Sequence, residues 1–127
     1  MKAIVLDAGA LIAIERGSVP VRGYVLLADR GHVTLATSAA VVAQVWRGGN
    51  RQARLARLLA SDLVTELALD SEASRRIGML AAATPGARDV VDGHIAAIAL
   101  DRDAIVLTSD PEDIARWGVP AAHIVAC

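Results

Sequence analysis

The sequence predicts an α/β domain, a parallel sheet of about five strands with helices on both faces. Three observations carry this. Short β-branched runs alternate with stretches of helical period along the whole chain. Glycine and proline fall between them as punctuation, in ERGSVP, RGGN, TPGARD and WGVP. Strands separated by helices pair in parallel and are covered on both sides, which gives three layers. With 127 residues and a hydrophobic fraction of 54%, the chain is read as one domain over residues 1–127 with a full core.

The elements follow in order. KAIVLD is the first strand, ending on Asp7, and helices follow over residues 9–16 and 20–30. HVTLAT is the second strand; helices over 38–47 and 51–60 come next, the first opened by Thr37 or Ser38 as N-cap. DLVTELAL is the third strand. Helices over 70–83 and 90–102 begin at Asp70 and Asp89, both good N-caps. DAIVLTSD is the fourth strand, and a short helix over 111–117 is entered through Asp110 and Pro111. AHIVA closes the sheet as the fifth.

Composition excludes several function classes. The aromatics are Tyr24, Trp46 and Trp117, with no phenylalanine, so the core is built from Ala, Val, Leu and Ile. Aromatic platforms for stacking single-stranded bases are not expected. The net charge of -1 gives no global pull towards nucleic acid or membrane. Lys2 is the only lysine among 13 basic residues. Arginine suits bidentate phosphate or carboxylate contacts, although genome base composition produces the same bias. The single cysteine, Cys127, allows neither an intrachain disulfide nor a cysteine metal cluster and fits a reducing cytoplasm. Asp7, Glu15 and Arg16 interrupt the apolar N-terminal run, which argues against a signal peptide. No run approaches about 18 uncharged apolar residues, so the expected location is cytoplasmic.

The acids carry the chemistry. In open parallel sheets ligands bind beyond the carboxyl ends of the strands. Asp7 ends the first strand and Asp110 lies just past the fourth, so both are expected at one rim. Taken alone, Asp7 fits a polar strand end or a cap equally well, and Asp110 before Pro111 reads more simply as a cap. Asp92 falls in the first turn of its helix, where the helix dipole favours an anion, with Asp89 three residues earlier. A cap explains Asp89 adequately; it explains less well why three acids reach one rim. Clustered carboxylates repel unless a cation sits among them. An oxygen-only set without cysteine suits Mg²⁺ or Mn²⁺, whose chemistry is hydrolysis of phosphodiesters.

IVLDAGALIAI, TSAAVVAQVWRGGNRQARLARLL, DVVDGHIAAIAL and AIVLTSDPEDI together resemble the PIN domain, and most closely the VapC-type toxins of bacterial type II toxin–antitoxin systems. The match spans nearly the whole chain in order and spacing. The resemblance implies a metal-dependent ribonuclease with an acidic pocket. Asp7, Asp92 and Asp110 align with the family's acids, Thr108 with the hydroxyl residue before the last, and Asp113 lies near a further acid of some members. It also implies a homodimer and an inhibitory VapB-like antitoxin bound over the early helices. Two positions depart from the pattern. Gln44 stands where the family usually has a glutamate, which removes one negative charge. Ala8 stands where many members carry a hydroxyl. Asp89 restores some charge if its side chain turns inward.

Arg47, Arg51, Arg54 and Arg57 recur every three or four residues. The simpler reading is a solvated face beside Leu55, Leu58 and Leu59; the alternative is a phosphate-contacting ridge for RNA. His94 lies two residues from Asp92 on a helix and points elsewhere; it and His123 read as packed or solvent-facing. Tyr24, Val25 and Leu27 belong to an apolar second helix that covers the core or meets a partner. The leading expectation is thus a metal-dependent endoribonuclease acting on RNA. The alternative is a PIN-fold RNA-binding or antitoxin-binding protein with weak or no nuclease activity, motivated by Gln44. A phosphoacceptor receiver domain is weaker still, because it needs paired acids after the first strand and a late lysine, and the chain has neither.

Overall fold

The strand order of the sheet is β3 (Val64–Leu67), β2 (Val33–Ser38), β1 (Lys2–Leu6), β4 (Ile105–Thr108) and β5 (Ile124–Ala126), every neighbouring pair parallel. This is a computed structural model, and it describes residues 2–127. The α/β expectation holds, with about five strands as anticipated. The chain steps outward from β1 to β2 and β3, then crosses back to lay β4 and β5 on the other side of β1. The order therefore reverses between β1 and β4. A crevice opens at such a switch point, beyond the carboxyl ends of the strands.

Helices cover both faces in two groups. α1 (Ala8–Glu15) packs on α2 (Val19–Asp29), α3 (Ala39–Val45) and α4 (Ala53–Ala60). On the other side α6 (Val90–Arg102) lies over β1, β2 and β4 and packs on α5 (Ser71–Ala83) and α7 (Pro111–Ala115). The central strands are apolar because both faces are buried: Val5, Leu6, Val106 and Leu107 have essentially no exposure. α6 is buried without interruption from Gly93 to Ala99, which small residues make feasible in a tightly covered helix. Trp117 supplies the bulk that the missing phenylalanines do not. A Cβ on Gly93 would lie 2.7 Å from the Trp117 ring, so only glycine lets the indole rest on α6 at this point.

Several boundaries differ from the sequence reading for visible reasons. The helix expected over 51–60 is a 3-10 turn at Asn50–Gln52 followed by α4. The buried Gln52 side chain explains the break. Its oxygen accepts from the Arg47 and Gly48 amides at 2.7 and 2.9 Å, and its nitrogen donates to the Val45 carbonyl at 2.8 Å. It thereby draws the chain back onto the end of α3. α7 stops at Ala115 because Trp117 and Gly118 turn to i−3 carbonyls and Gly118 adopts a positive φ of 93°. The fifth strand loses its first residues to a 3-10 turn at Ala121–His123. Among the described residues no helix is long and apolar enough to cross a membrane.

Candidate active site

β1 and β4 lie side by side, with Leu6 paired to Leu107, so the residues that follow them emerge together. Asp7 is 5% exposed, and its backbone amide donates to the Leu107 carbonyl at 3.0 Å. Its carboxylate Oδ2 accepts from the Thr108 hydroxyl at 2.7 Å. The same Thr108 Oγ1 accepts from the Asp110 amide at 2.9 Å. One buried hydroxyl therefore fixes both the Asp7 side chain and the backbone that presents Asp110. The first turn of α1 can approach this segment because residue 9 is glycine: a Cβ there would meet Ser109 Oγ at 2.5 Å.

Hydrogen bonding separates the capping acids from the others. Asp70 accepts from the Ala73 amide at 2.9 Å, and Asp89 accepts from the Val91 and Asp92 amides at 2.9 and 3.1 Å. Both are N-caps, as expected. Asp7 and Asp110 occupy the corresponding positions before α1 and α7, yet neither side chain makes a capping bond. The cap that the Asp110-Pro111 pair suggested is thus absent. Asp89 is corrected the other way: its side chain is committed to the α6 N-terminus instead of turning inward. Asp113 is paired with Arg116 at 2.8 Å. Among the described residues no cationic side chain pairs with Asp7, Asp92 or Asp110.

The electrostatics follow from this arrangement. Burial pushes the half-buried Asp92 carboxyl up to about 6, helped by the charges of Asp89, Asp7, Asp113 and Asp110. Asp7 is raised chiefly by burial, against the lowering effect of its bonds from Thr108 and Ala8. Asp92 and Asp113 line one depression of about 190 Å³, and Asp110 and Asp113 line another of about 390 Å³. Asp113 is common to both. The donors are all oxygen and the local potential is negative, which fits a hard divalent cation in charge and ligand type. No three His, Cys, Asp or Glu side chains among the described residues converge into a ready-made cage.

Gln44 does not line either acidic depression. It is exposed on α3 and borders a depression of about 350 Å³ with Arg16, Arg47 and Arg51. The arginine series is split as well. Arg47 lies on the turn after α3, Arg51 in the 3-10 turn, and Arg54 and Arg57 on α4, so the expected single helical stripe does not form. Arg54 lies against Gly17 and donates to the Glu15 carbonyl at 3.4 Å, at the end of α1. Arg54 and Arg57 join Arg22 around a separate depression of about 420 Å³, floored by Ile14, Val25 and Leu58. Arg16 and Arg22 escaped the sequence reading because they sit on helices distant in sequence from the arginine series.

His94 and His123 line neither acidic depression. His94 is buried, and its Nδ1 lies 2.6 Å from the Ser38 hydroxyl. Ser38 Oγ also accepts from the Ala40 amide as the α3 cap, so its proton is directed to the imidazole. Burial lowers the His94 pKa, with Asp70 opposing it. His123 Nδ1 lies 3.6 Å from Asp103, away from the rim.

A family model described as PIN domain matches residues 4–118. No curated protein gives a significant match. Among solved structures, the chain is similar to VapBC2 from Rickettsia felis bound to a DNA fragment from their promoter. The TM-score is 0.71 at 18% identity, with 98% of each chain covered. It is similar to a toxin–antitoxin complex from Klebsiella pneumoniae at TM-score 0.67 and 18% identity, covering 96% of this chain and 95% of that one. FitAcB from Neisseria gonorrhoeae gives TM-score 0.58 and 22% identity, with coverage of 94% and 99%. At these identities the likeness is one of fold.

Proposed function

The chain belongs to the PIN domain family, and from that premise we propose that it is a metal-dependent endoribonuclease of the VapC-like toxin class. Asp7, Asp92 and Asp110 would hold Mg²⁺ or Mn²⁺. The observation that carries this reading is the set of three acids at the β1–β4 switch point that neither cap a helix nor pair with a cation. When bound, such an ion supplies charge neutralisation at the phosphate and acidifies a water for hydrolysis.

The protein's own residues prepare the site in three ways. Thr108 holds Asp7 Oδ2 in one orientation and leaves the other carboxylate oxygen uncommitted to a side chain. The Asp110 amide, bonded to the same hydroxyl, keeps the β4–α7 loop at the rim. Burial, with the neighbouring carboxylates second, opposes the charge on Asp92, so a cation held there would release protons below about pH 6.

An antitoxin partner belongs to the same proposal. The depression between α1, α2 and α4 has an apolar floor at Ile14, Val25 and Leu58 and a cationic rim at Arg22, Arg54 and Arg57. Leu26 and Leu27 are exposed beside it. This suits an acidic amphipathic segment of an antitoxin over the early helices, as the toxin reading requires. The homodimer is part of the same reading and is checked by sedimentation velocity.

Incubating purified protein with total RNA and Mn²⁺, beside Asp7→Asn, tests the activity. The wild type is expected to cleave and the variant to retain its fold without cleaving. Equal cleavage by both removes the acids from the mechanism. RNA binding without cleavage by the wild type favours the alternative of a binding protein with a weakened site, for which the neutral Gln44 is the motive.

A further inference from the structure

The chemistry around Gln44 points away from a metal site. Arg16, Arg47 and Arg51 surround the same depression, with Glu15 as the one carboxylate bordering it. None of the three guanidinium groups is engaged in a salt bridge among the described residues. Three unneutralised cations against one acid leave a local positive potential, on a chain whose net charge is -1. The arginines come from separate elements: the end of α1, the turn after α3 and the 3-10 turn.

Gln52 holds that convergence in place. Its buried carboxamide bonds the Arg47 and Gly48 amides and the Val45 carbonyl, so the turn carrying Arg47 is fixed to the end of the helix carrying Gln44. Gly48 and Gly49, with φ of 74° and 85°, allow the tight path between them. The Arg47 Nη1 donates to the Trp46 carbonyl at 2.7 Å, which orients its guanidinium at the surface. A glutamate at position 44 would place a second carboxylate beside these arginines and halve their excess of charge. A glutamine instead offers an N–H donor and an oxygen acceptor with no charge. Ile12 and Val45 also line the depression, which is less apolar than the groove between α1, α2 and α4. Three arginines without a salt bridge make an anionic backbone the ligand whose charge this depression complements.

We propose that Gln44, Arg16, Arg47 and Arg51 form a cradle for a phosphodiester group of single-stranded RNA. Gln44 donates a hydrogen bond to a phosphate oxygen and is not a substitute metal ligand. This deepens the ribonuclease reading, since it assigns where a second phosphate of the strand, apart from the one cleaved, is held. It is tested without cleavage, so the two stand or fall separately.

The experiment measures anisotropy of a fluorescein-labelled single-stranded oligoribonucleotide in EDTA, at several salt concentrations. It compares wild type, Gln44→Glu, Arg47→Ala/Arg51→Ala, and Arg75→Ala as a charge-matched control on α5. All four positions are exposed, and thermal melts verify the fold. Gln44→Glu is expected to weaken binding about 5- to 10-fold, the scale of one lost hydrogen bond plus repulsion. The double variant is expected to lower the slope of log K against log salt by about 1.4, at roughly 0.7 per phosphate contact on a single strand. Calorimetric titration with Mn²⁺ alone is expected to give the same affinity for wild type and Gln44→Glu. Unchanged RNA binding by Gln44→Glu, an equal loss in Arg75→Ala, or tighter Mn²⁺ binding by Gln44→Glu would each overturn the proposal.

Discussion

The two ends of α1 are used in opposite ways. At its start Asp7 is buried under the strand ends among other carboxylates, and its ionisation is opposed by its surroundings. At its end Arg16 is exposed beside Arg47 and Arg51 and makes no salt bridge among the described residues. Both placements agree with the helix dipole, which favours an anion at the first turn and a cation at the last. They differ in what desolvation has done. The acidic end is held in an electrostatically unfavourable state by the fold, which the proposed cation would relieve. The arginine end is solvated and costs the fold little. A molecule with an anionic backbone and a need for a cation at one phosphate meets both requirements along one helix.

That contrast is tested most severely at Asp92. Under the proposed function, Asp92→Asn is expected to reduce cleavage by more than about 100-fold, beyond the loss typical of partners that only orient a metal ligand. Its pH dependence carries a defined sign. The Asp92 carboxyl titrates at about 6 in the folded chain, against an ordinary value of 3.8. Between these values the native state binds more protons than the unfolded one, so stability falls as pH rises from about 4 to 6 and then levels. Asp7, raised in the same direction, adds to the fall. Urea unfolding across pH 4–7 is expected to show this decline in the wild type and a shallower one in Asp92→Asn. A wild-type stability that rises over that window contradicts the account of the acidic end.

A smaller effect is expected at Thr108. Thr108→Val removes the donor to Asp7 and the acceptor for the Asp110 amide while keeping the volume. The cost is about 1–2 kcal/mol in unfolding free energy, with the Asp7 carboxyl raised further. Cleavage falls about 10-fold. Full activity in the variant would show that the hydroxyl supports the fold and not the carboxylate orientation. The smallest effect belongs to Arg54. It serves the end of α1 and the rim of the apolar groove and does not border the Gln44 depression. Arg54→Ala is expected to cost about 0.5 kcal/mol of stability and to leave the RNA affinity measured in EDTA unchanged. A loss of affinity equal to that of Arg47→Ala/Arg51→Ala would restore the single arginine ridge.

Much of this arrangement was legible in the sequence. The alternation of strand and helix patterns gave all five strands, and the ends of KAIVLD and AIVLT placed Asp7 and Asp110 at one rim. The capping grammar identified Asp70 and Asp89 and narrowed the α3 cap to Thr37 or Ser38, of which Ser38 is the cap. The same grammar misread Asp110, because Asp-Pro is a helix start regardless of where the carboxylate points. Thr108 instead engages the Asp110 backbone amide and the Asp7 carboxylate, the latter across 101 positions of sequence. The arginine pattern failed for a related reason. Period three to four implies one face only if the helix is continuous, and Gln52 breaks it with bonds that no local propensity encodes. Arg16 joined Arg47 and Arg51 through the packing of α1 on α3, which no local pattern displays.

The hydroxyl that ties Asp110 to Asp7 also sets a timetable for biosynthesis. β1 is made before β2 and long before β4, so the edge it gives to β4 has no partner until residues 105–108 emerge. Throughout that interval Asp7 lacks Thr108, Asp110 is not yet made, and the acidic rim does not exist. A nascent or prematurely terminated chain is therefore inert as a nuclease under the proposed mechanism. It also carries an unpaired central strand edge that invites aggregation. Under the proposed function, the active form exists only once β4 and the loop after it have been made.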